Sequence, residues 1–201
     1  MHMHMMHAPV KTVRIHLGAS MTTRTFLFLL GSSRAAGNTE LLARLAAEQL
    51  PPGTEQRWLD LRDLPLPSFE DLRHTDGHTA PTGHSATLLE ATLAATDVVV
   101  ASPLYWYSVS SSTKRYLDHW SAWLEAPGID FQRRMAGKTL WGVTALAATD
   151  LTAAEPLAGT LRNSAHYLGM RWGGVLLGNG SKLGDVLTDT RAVADAKAFF
   201  N

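Results

Sequence analysis

Thr25-Phe26-Leu27-Phe28-Leu29-Leu30 is a short apolar run that ends in a polar loop, Gly31-Ser32-Ser33-Arg34-Ala35-Ala36-Gly37-Asn38-Thr39. A run of that length without alternation predicts a strand covered on both faces. Thr39–Leu50 (TELLARLAAEQL) then places Leu41, Leu42, Leu45, Ala46 and Gln49 at three-four spacing, which predicts a helix, and Pro51-Pro52-Gly53 stops it. Strand, loop and helix form a unit that the rest of the chain repeats.

Working outward, Glu55–Leu61 reads as a more polar strand nearer the sheet edge. Leu64–His84 is a long connection with Pro65, Pro67 and Pro81, and loops of this length are usually functional or flexible. Thr87 with Glu90 suggests a capping box opening a helix through Ala95. Asp97–Ala101 (DVVVA) is another buried strand, Ser102–Ser111 a loop of aromatic and hydroxyl residues, and Ser112–Glu125 a helix ended by Pro127-Gly128. Thr139–Leu146 is the fourth strand. Thr152 with Glu155 suggests a second capping box, with Pro156 in a first turn where a missing N–H costs little. That helix runs to about Leu168; Arg171–Leu177 is the fifth strand and Asp189–Phe199 the closing helix. Strands alternating with helices predict an α/β fold: a doubly wound, five-stranded parallel sheet of order 2-1-3-4-5 with helices on both faces. Its ligand crevice lies at the carboxyl ends of strands 1 and 3.

Composition narrows the chemistry. Lysine plus arginine equals aspartate plus glutamate, 18 each. That balance offers no basic face for nucleic acid and no one-signed field to steer a protein redox partner. With no cysteine, thiol chemistry, disulfides and cysteine-held clusters are excluded, so redox work requires a bound organic cofactor or a His/carboxylate metal site. No apolar run reaches the ~18 residues of a membrane span, and the first twenty residues lack the apolar core of a signal peptide. The expected location is cytoplasmic. Residues 1–20 read as an arm without function despite His2, His4 and His7, and the domain as residues 21–201.

The loop after strand 1 matches neither a nucleotide P-loop nor GxGxxG. Hydroxyls, an amide and Arg34 feeding a helix N-terminus suit a monophosphate; an ordinary turn capped by Asn38 is the alternative. After strand 3, Pro103 fixes the chain direction, and Tyr105, Trp106 and Tyr107 offer an aromatic wall for a flat conjugated ring, or a lid or dimer contact. His74, His78 and His84 read as a solvated loop or lid rather than a metal site, His119 as a surface or interface residue, and Gly178–Gly184 as a glycine turn.

The two loops together, GSSR-x-x-GNT and SPLYWYS…STKRYLD, resemble the NADPH-dependent FMN reductase family of the flavodoxin-like superfamily, from about Thr25 to the C-terminus. The resemblance implies that Ser32, Arg34, Asn38 and Thr39 hold the FMN phosphate. Pro103, Leu104, Tyr105 and Trp106 would lie along the isoalloxazine. Thr149 would reach the ring edge from a third loop, Ala145–Asp150, that is alanine-rich where the family is often glycine-rich. Lys114 and Asp118 match a family pair and read as a structural i, i+4 bond. NADPH or NADH would reduce the flavin, and a quinone, flavin or azo compound would take the electrons, with no side chain needed as nucleophile or obligatory acid. A homodimer or homotetramer is expected, partly because Tyr116, Leu117, Trp120, Trp123 and Leu124 make a stripe wider than one core face. A flavodoxin-type electron carrier and a flavin-free binding module of the same fold are the alternative functions.

Overall fold

The computed structural model describes residues 23–201, so the arm 1–20 with its histidines lies outside the described residues. The element order is β1 (Thr25–Leu30), α1 (Asn38–Ala47), β2 (Glu55–Asp60), α2 (Gly83–Ala94), β3 (Asp97–Ala101), α3 (Ser111–Glu125), α4 (Phe131–Met135), β4 (Thr139–Leu146), α5 (Glu155–Tyr167), β5 (Arg171–Asn179) and α6 (Thr190–Ala196). All strands run parallel in the order β2-β1-β3-β4-β5. The expected doubly wound, flavodoxin-like sheet is the observed one.

Strand periodicity explains the unbroken apolar runs. Phe26, Phe28 and Leu30 point to the side covered by α1 and α6, whereas Leu27 and Leu29 point to the side covered by α2, α3 and α5. Val98 and Val100 oppose Val99 and Ala101 in the same way. Each strand therefore feeds two cores. The polar β2 is the edge strand, half-exposed along most of its length.

Two helix starts differ from expectation. The Thr87–Glu90 box does not form: α2 begins at Gly83, Thr87 Oγ1 donates to Gly83 O, and Glu90 pairs with Arg57. The Thr152–Glu155 box is likewise replaced. Asp150 accepts from Thr152 N at 2.9 Å and caps a single 3-10 turn, Leu151–Ala154, that leads into α5 with Pro156 in its first turn. In both places a nearby acceptor or an earlier start won over the local motif.

The wide stripe on α3 is covered by its own chain. Tyr116, Trp120 and Trp123 are buried, with Phe131 of α4 edge-on to both tryptophans and Leu66 in the same cluster. α4 has no sequence signature, and it supplies the extra cover that the stripe needs; the stripe therefore gives no support to a subunit interface. His119, expected at the surface, is largely buried and Nε2 bonds Pro67 O at 3.1 Å. His84 Nδ1, on α2, bonds Pro65 O and His78 Nε2 accepts from Leu72 N within the connection, so His119 ties the 61–82 connection to α3, His84 ties it to α2 and His78 ties it to itself.

At the amino-terminal edge of the sheet, Asp97 is buried. It accepts from Arg24 Nη2 at 2.6 Å, Trp141 Nε1 at 2.9 Å and Thr96 Oγ1 at 2.7 Å. Burial pushes its pKa up, but the bonds from Arg24, Trp141 and Thr96 outweigh burial and the value falls below the usual carboxylate range. A carboxylate with a depressed pKa stabilises the fold fully above its ordinary pKa and loses that contribution as pH falls through the lowered value. Because Arg24 is partly exposed, Asp97→Asn should cost about 1–3 kcal/mol at pH 7. In urea unfolding the gap to the native chain should narrow as pH drops below about 4. A gap that is absent, or unchanged down that range, would contradict the role.

Candidate functional site

The crevice forms where the strand order reverses, between the β1–α1 loop and the β3–α3 loop. Gly31 continues the sheet, donating N–H to Ala101 O at 2.9 Å. A Cβ there would sit 1.9 Å from Thr113 Oγ1, so only glycine allows β1 to leave the sheet against α3. The two loops are tied by Ser33 Oγ and Tyr105 OH at 2.9 Å. Ser110 caps α3 by accepting from Thr113 N, and its own N–H donates to Ser102 Oγ at 2.8 Å, closing the aromatic loop on itself.

A cavity of about 160 Å3 opens here. From the first loop it is lined by Ser32, Arg34, Asn38 and Thr39, and from the second by Pro103, Leu104 and Tyr105. The remaining wall is Ala145, Leu146, Ala147, Gly180 and Ser181. The volume falls below the ~300–1,000 Å3 of pockets that enclose a whole ligand, and it suits the phosphate-bearing end of one.

Its electrostatics favour an anion. The α1 N-cap is Gly37, with no side-chain bond, so the first-turn N–H groups have no side-chain cap. Glu40, which in this position usually opposes an anion, is turned away by bonds to Arg44 and Ala36 N. The Arg34 side chain has no hydrogen-bonding or ionic partner among the described residues. Ser32 Oγ accepts from Arg34 N and Thr39 Oγ1 from Ala145 N, which leaves each hydroxyl hydrogen free to donate.

Three assignments differ from the sequence reading. The Asn38 side chain is spent elsewhere: Nδ2 donates to Lys182 O and Oδ1 accepts from Gly184 N, both at 2.8 Å. Asn38 therefore lines the cavity with its amide already bonded and anchors the last loop to α1. Thr149 is not at the crevice. Asn179 Nδ2 gathers the carbonyls of Leu146, Ala147 and Ala148, which turns the chain so that Thr149 lines a different cavity with Thr188, Asp189 and Arg191. Trp106 is 94% exposed and stands outside the cavity at a turn tip.

The sequence reading also missed the loop after β5. Gly180 and Ser181 line the cavity, and a Cβ at Gly180 would lie 2.8 Å from both Asn38 Nδ2 and Val186 N. The glycine run in Gly178–Gly184 was the available signal; its partner, Asn38, is far away in sequence. The Lys114–Asp118 bond forms as expected, at 2.5 Å on the outside of α3.

Trp106 and Tyr107 occupy the centre of a two-residue hairpin closed by reciprocal Tyr105–Ser108 bonds, with φ of 49° and 63°. Positive φ at both centres is the type I′ turn, which selects Asn-Gly. Two aromatic residues there are strained, and such strain gathers at functional sites.

A flavodoxin-like sheet with a phosphate-sized, uncapped helix N-terminus beside an aromatic turn defines a flavodoxin-class protein. Known proteins agree: the NADPH-dependent FMN reductase family matches residues 25–172. The Bacillus subtilis protein YwqN, described as an NAD(P)H-dependent FMN-containing oxidoreductase, is 30% identical over 168 residues, 83% of this chain and 91% of its own. The chain belongs to the NADPH-dependent FMN reductase family, whose members are enzymes with FMN as cofactor and a nicotinamide as co-substrate. Among solved structures, the Trp repressor binding protein from Bacillus subtilis superposes with a TM-score of 0.71 at 24% identity, covering 88% of this chain and 97% of that one. An FMN-dependent NADH-azoreductase from Bacillus anthracis, solved with FMN, superposes at 0.59 with 12% identity over 89% of this chain and 100% of its own. Both show the shared fold.

Gly31→Ala should destabilise the fold by about 1–3 kcal/mol, because Thr113 and its helix must move. Replacing Trp106-Tyr107 with Asn-Gly should instead stabilise it, by about 1–2 kcal/mol. Urea unfolding of both variants measures each sign directly.

Proposed function

We propose that this chain oxidises NADPH or NADH through FMN held at the β1/β3 crevice, and passes the electrons to a small acceptor such as a quinone, free flavin or azo compound. The observation that carries the proposal is Arg34. It has no counter-ion among the described residues and stands at an uncapped helix N-terminus, lining one cavity with the aromatic loop.

Bound FMN supplies the hydride chemistry. The chain supplies position and electrostatics. Arg34, the hydroxyls of Ser32 and Thr39 and the first-turn N–H groups of α1 fit the phosphate oxygens. Pro103, Leu104 and Tyr105 line the crevice from the second loop, and Ala145, Leu146 and Ala147 line it beside them, Leu104 N–H donating to Ala145 O at 3.4 Å. Arg34 and Tyr105 are the ionisable residues lining the cavity, so positioning rather than side-chain acid–base chemistry is what the residues offer. The exposed Trp106 ring, at the rim instead of inside, fits a contact with the nicotinamide, the acceptor or a second copy of the chain in a homodimer or homotetramer. Among the described residues no helix is long and apolar enough to cross a membrane.

Arg34→Ala should weaken FMN binding about 10–100-fold, the loss of one charge-assisted contact. Thr149→Ala should leave it unchanged. Titration of flavin fluorescence reads both. Anaerobic stopped-flow mixing with NADPH or NADH should then bleach the flavin band of the native protein. Bound flavin that stays oxidised with both donors would favour the electron carrier, and failure to retain FMN the flavin-free module.

A further inference from the structure

A second cavity, of about 420 Å3, lies at the amino-terminal edge of the sheet. The five residues of β3 separate it from the flavin crevice, about 16 Å at ~3.3 Å per residue. Its charged wall is Arg24, Arg134, Lys138, Arg171 and Asp97.

Outside this cavity six of the described arginines meet carboxylates, Arg44 with Glu40, Arg57 with Glu90, Arg62 with Asp60, Arg73 with Asp71, Arg133 with Asp130 and Arg191 with Asp189, whereas Arg34, Arg115 and Arg162 meet none. In this cavity that matching fails. Asp97 is the one carboxylate of the wall, and it is buried and consumed by Arg24, Thr96 and Trp141. Arg24 and Asp97 cancel. Lys138, Arg134 and Arg171 remain, three positive charges on one cavity with no carboxylate bonded to any of them among the described residues.

Local structure accounts for only part of this. Lys138 Nζ donates to Leu93 O at 3.0 Å and to Ala95 O, so it caps the carboxyl end of α2. Burial, and next the adjacent Arg134, pull its pKa down, as expected of a cation held among cations. Arg171 spends only Nε, on Thr139 Oγ1 at 3.3 Å, leaving its terminal N–H groups uncommitted to any described residue. The Arg134 side chain makes no hydrogen bond or ion pair to a described residue; only its main-chain N–H bonds, to Asp130 O. Neither arginine is explained by a helix end that it bonds.

Guanidinium forks match phosphate oxygens in pairs. The wall holds no aromatic ring, its other residues being Thr96, Ala136 and Gly137, so a nucleobase would find no stacking partner. We infer that this cavity binds a compact phosphate polyanion of the pyrophosphate class through Arg134, Lys138 and Arg171, at a site separate from the flavin crevice. The recognised group is the diphosphate itself, either free or at the end of a nucleotide.

The test is calorimetric titration of the full chain, saturated with FMN so that the Arg34 site is filled, with inorganic pyrophosphate at low ionic strength. One-site binding is expected, weakened about tenfold or more in Arg134→Gln by loss of a charge-assisted contact, and retained in Arg34→Ala. The Arg134 side chain is exposed and bonds no described residue, so Arg134→Gln keeps the fold; Arg171→Gln should repeat the loss. ADP binding as tightly as pyrophosphate would assign the nucleotide source, and ADP exclusion the free anion. No binding heat, undiminished binding in both variants, or binding lost in Arg34→Ala would overturn the inference.

Discussion

Hydrogen bonding of β1 to β3 leaves the centre of the sheet apolar on both faces, so water must be kept from both sides at once. Helices satisfy that demand on each face. Every crossover then delivers a helix N-terminus to the carboxyl edge of the sheet, because the helices run antiparallel to the strands. The placement of the uncapped N-terminus of α1 at the crevice is thus a consequence of covering Phe26, Phe28 and Val99. The chemistry of the site follows from how that one helix end is left uncapped.

The opposite edge has the complementary problem. Helix carboxyl ends and the amino ends of the strands meet there, and cations collect to satisfy carbonyls. Arg24 bonds Phe200 O as well as Asp97, and Lys138 bonds two carbonyls at the end of α2. The structure solves the charge balance at β3 with the buried Asp97 and leaves Arg134 and Arg171 over. One fold thus places a cationic cavity at each end of its sheet, the first built on a helix N-terminus and the second on side chains alone.

The crevice also shows how far apart the parts of a small site lie in the chain. Asn38, the first residue of α1, holds the loop after β5 with both ends of its amide. Asn179, at the end of β5, holds the third loop through three carbonyls. With these two amides acting as clamps, the alanine-rich third loop needs no glycine to shape it. Ala145, Leu146 and Ala147 line the cavity, and with Asn179 holding the carbonyls of Leu146, Ala147 and Ala148 the chain has left it by Thr149.

Sequence by itself determined the strands, their parallel order and the crevice between the first and third of them. Continuous apolar runs and three-four spacing report burial, and burial is local to each element. The two loops leave adjacent strands and so end side by side, and of the residues that the family resemblance named in them Ser32, Arg34, Thr39, Pro103, Leu104 and Tyr105 line one cavity. Only the tertiary structure decided where Asn38, Trp106 and Thr149 spend their side chains, that α4 covers the wide stripe of α3, and that Gly180 and Ser181 close the site. Each of these depends on a partner remote in sequence or on a turn whose φ values contradict its residues. No local pattern carries that information, because hydrogen bonds and close contacts across the fold are fixed by where the chain returns.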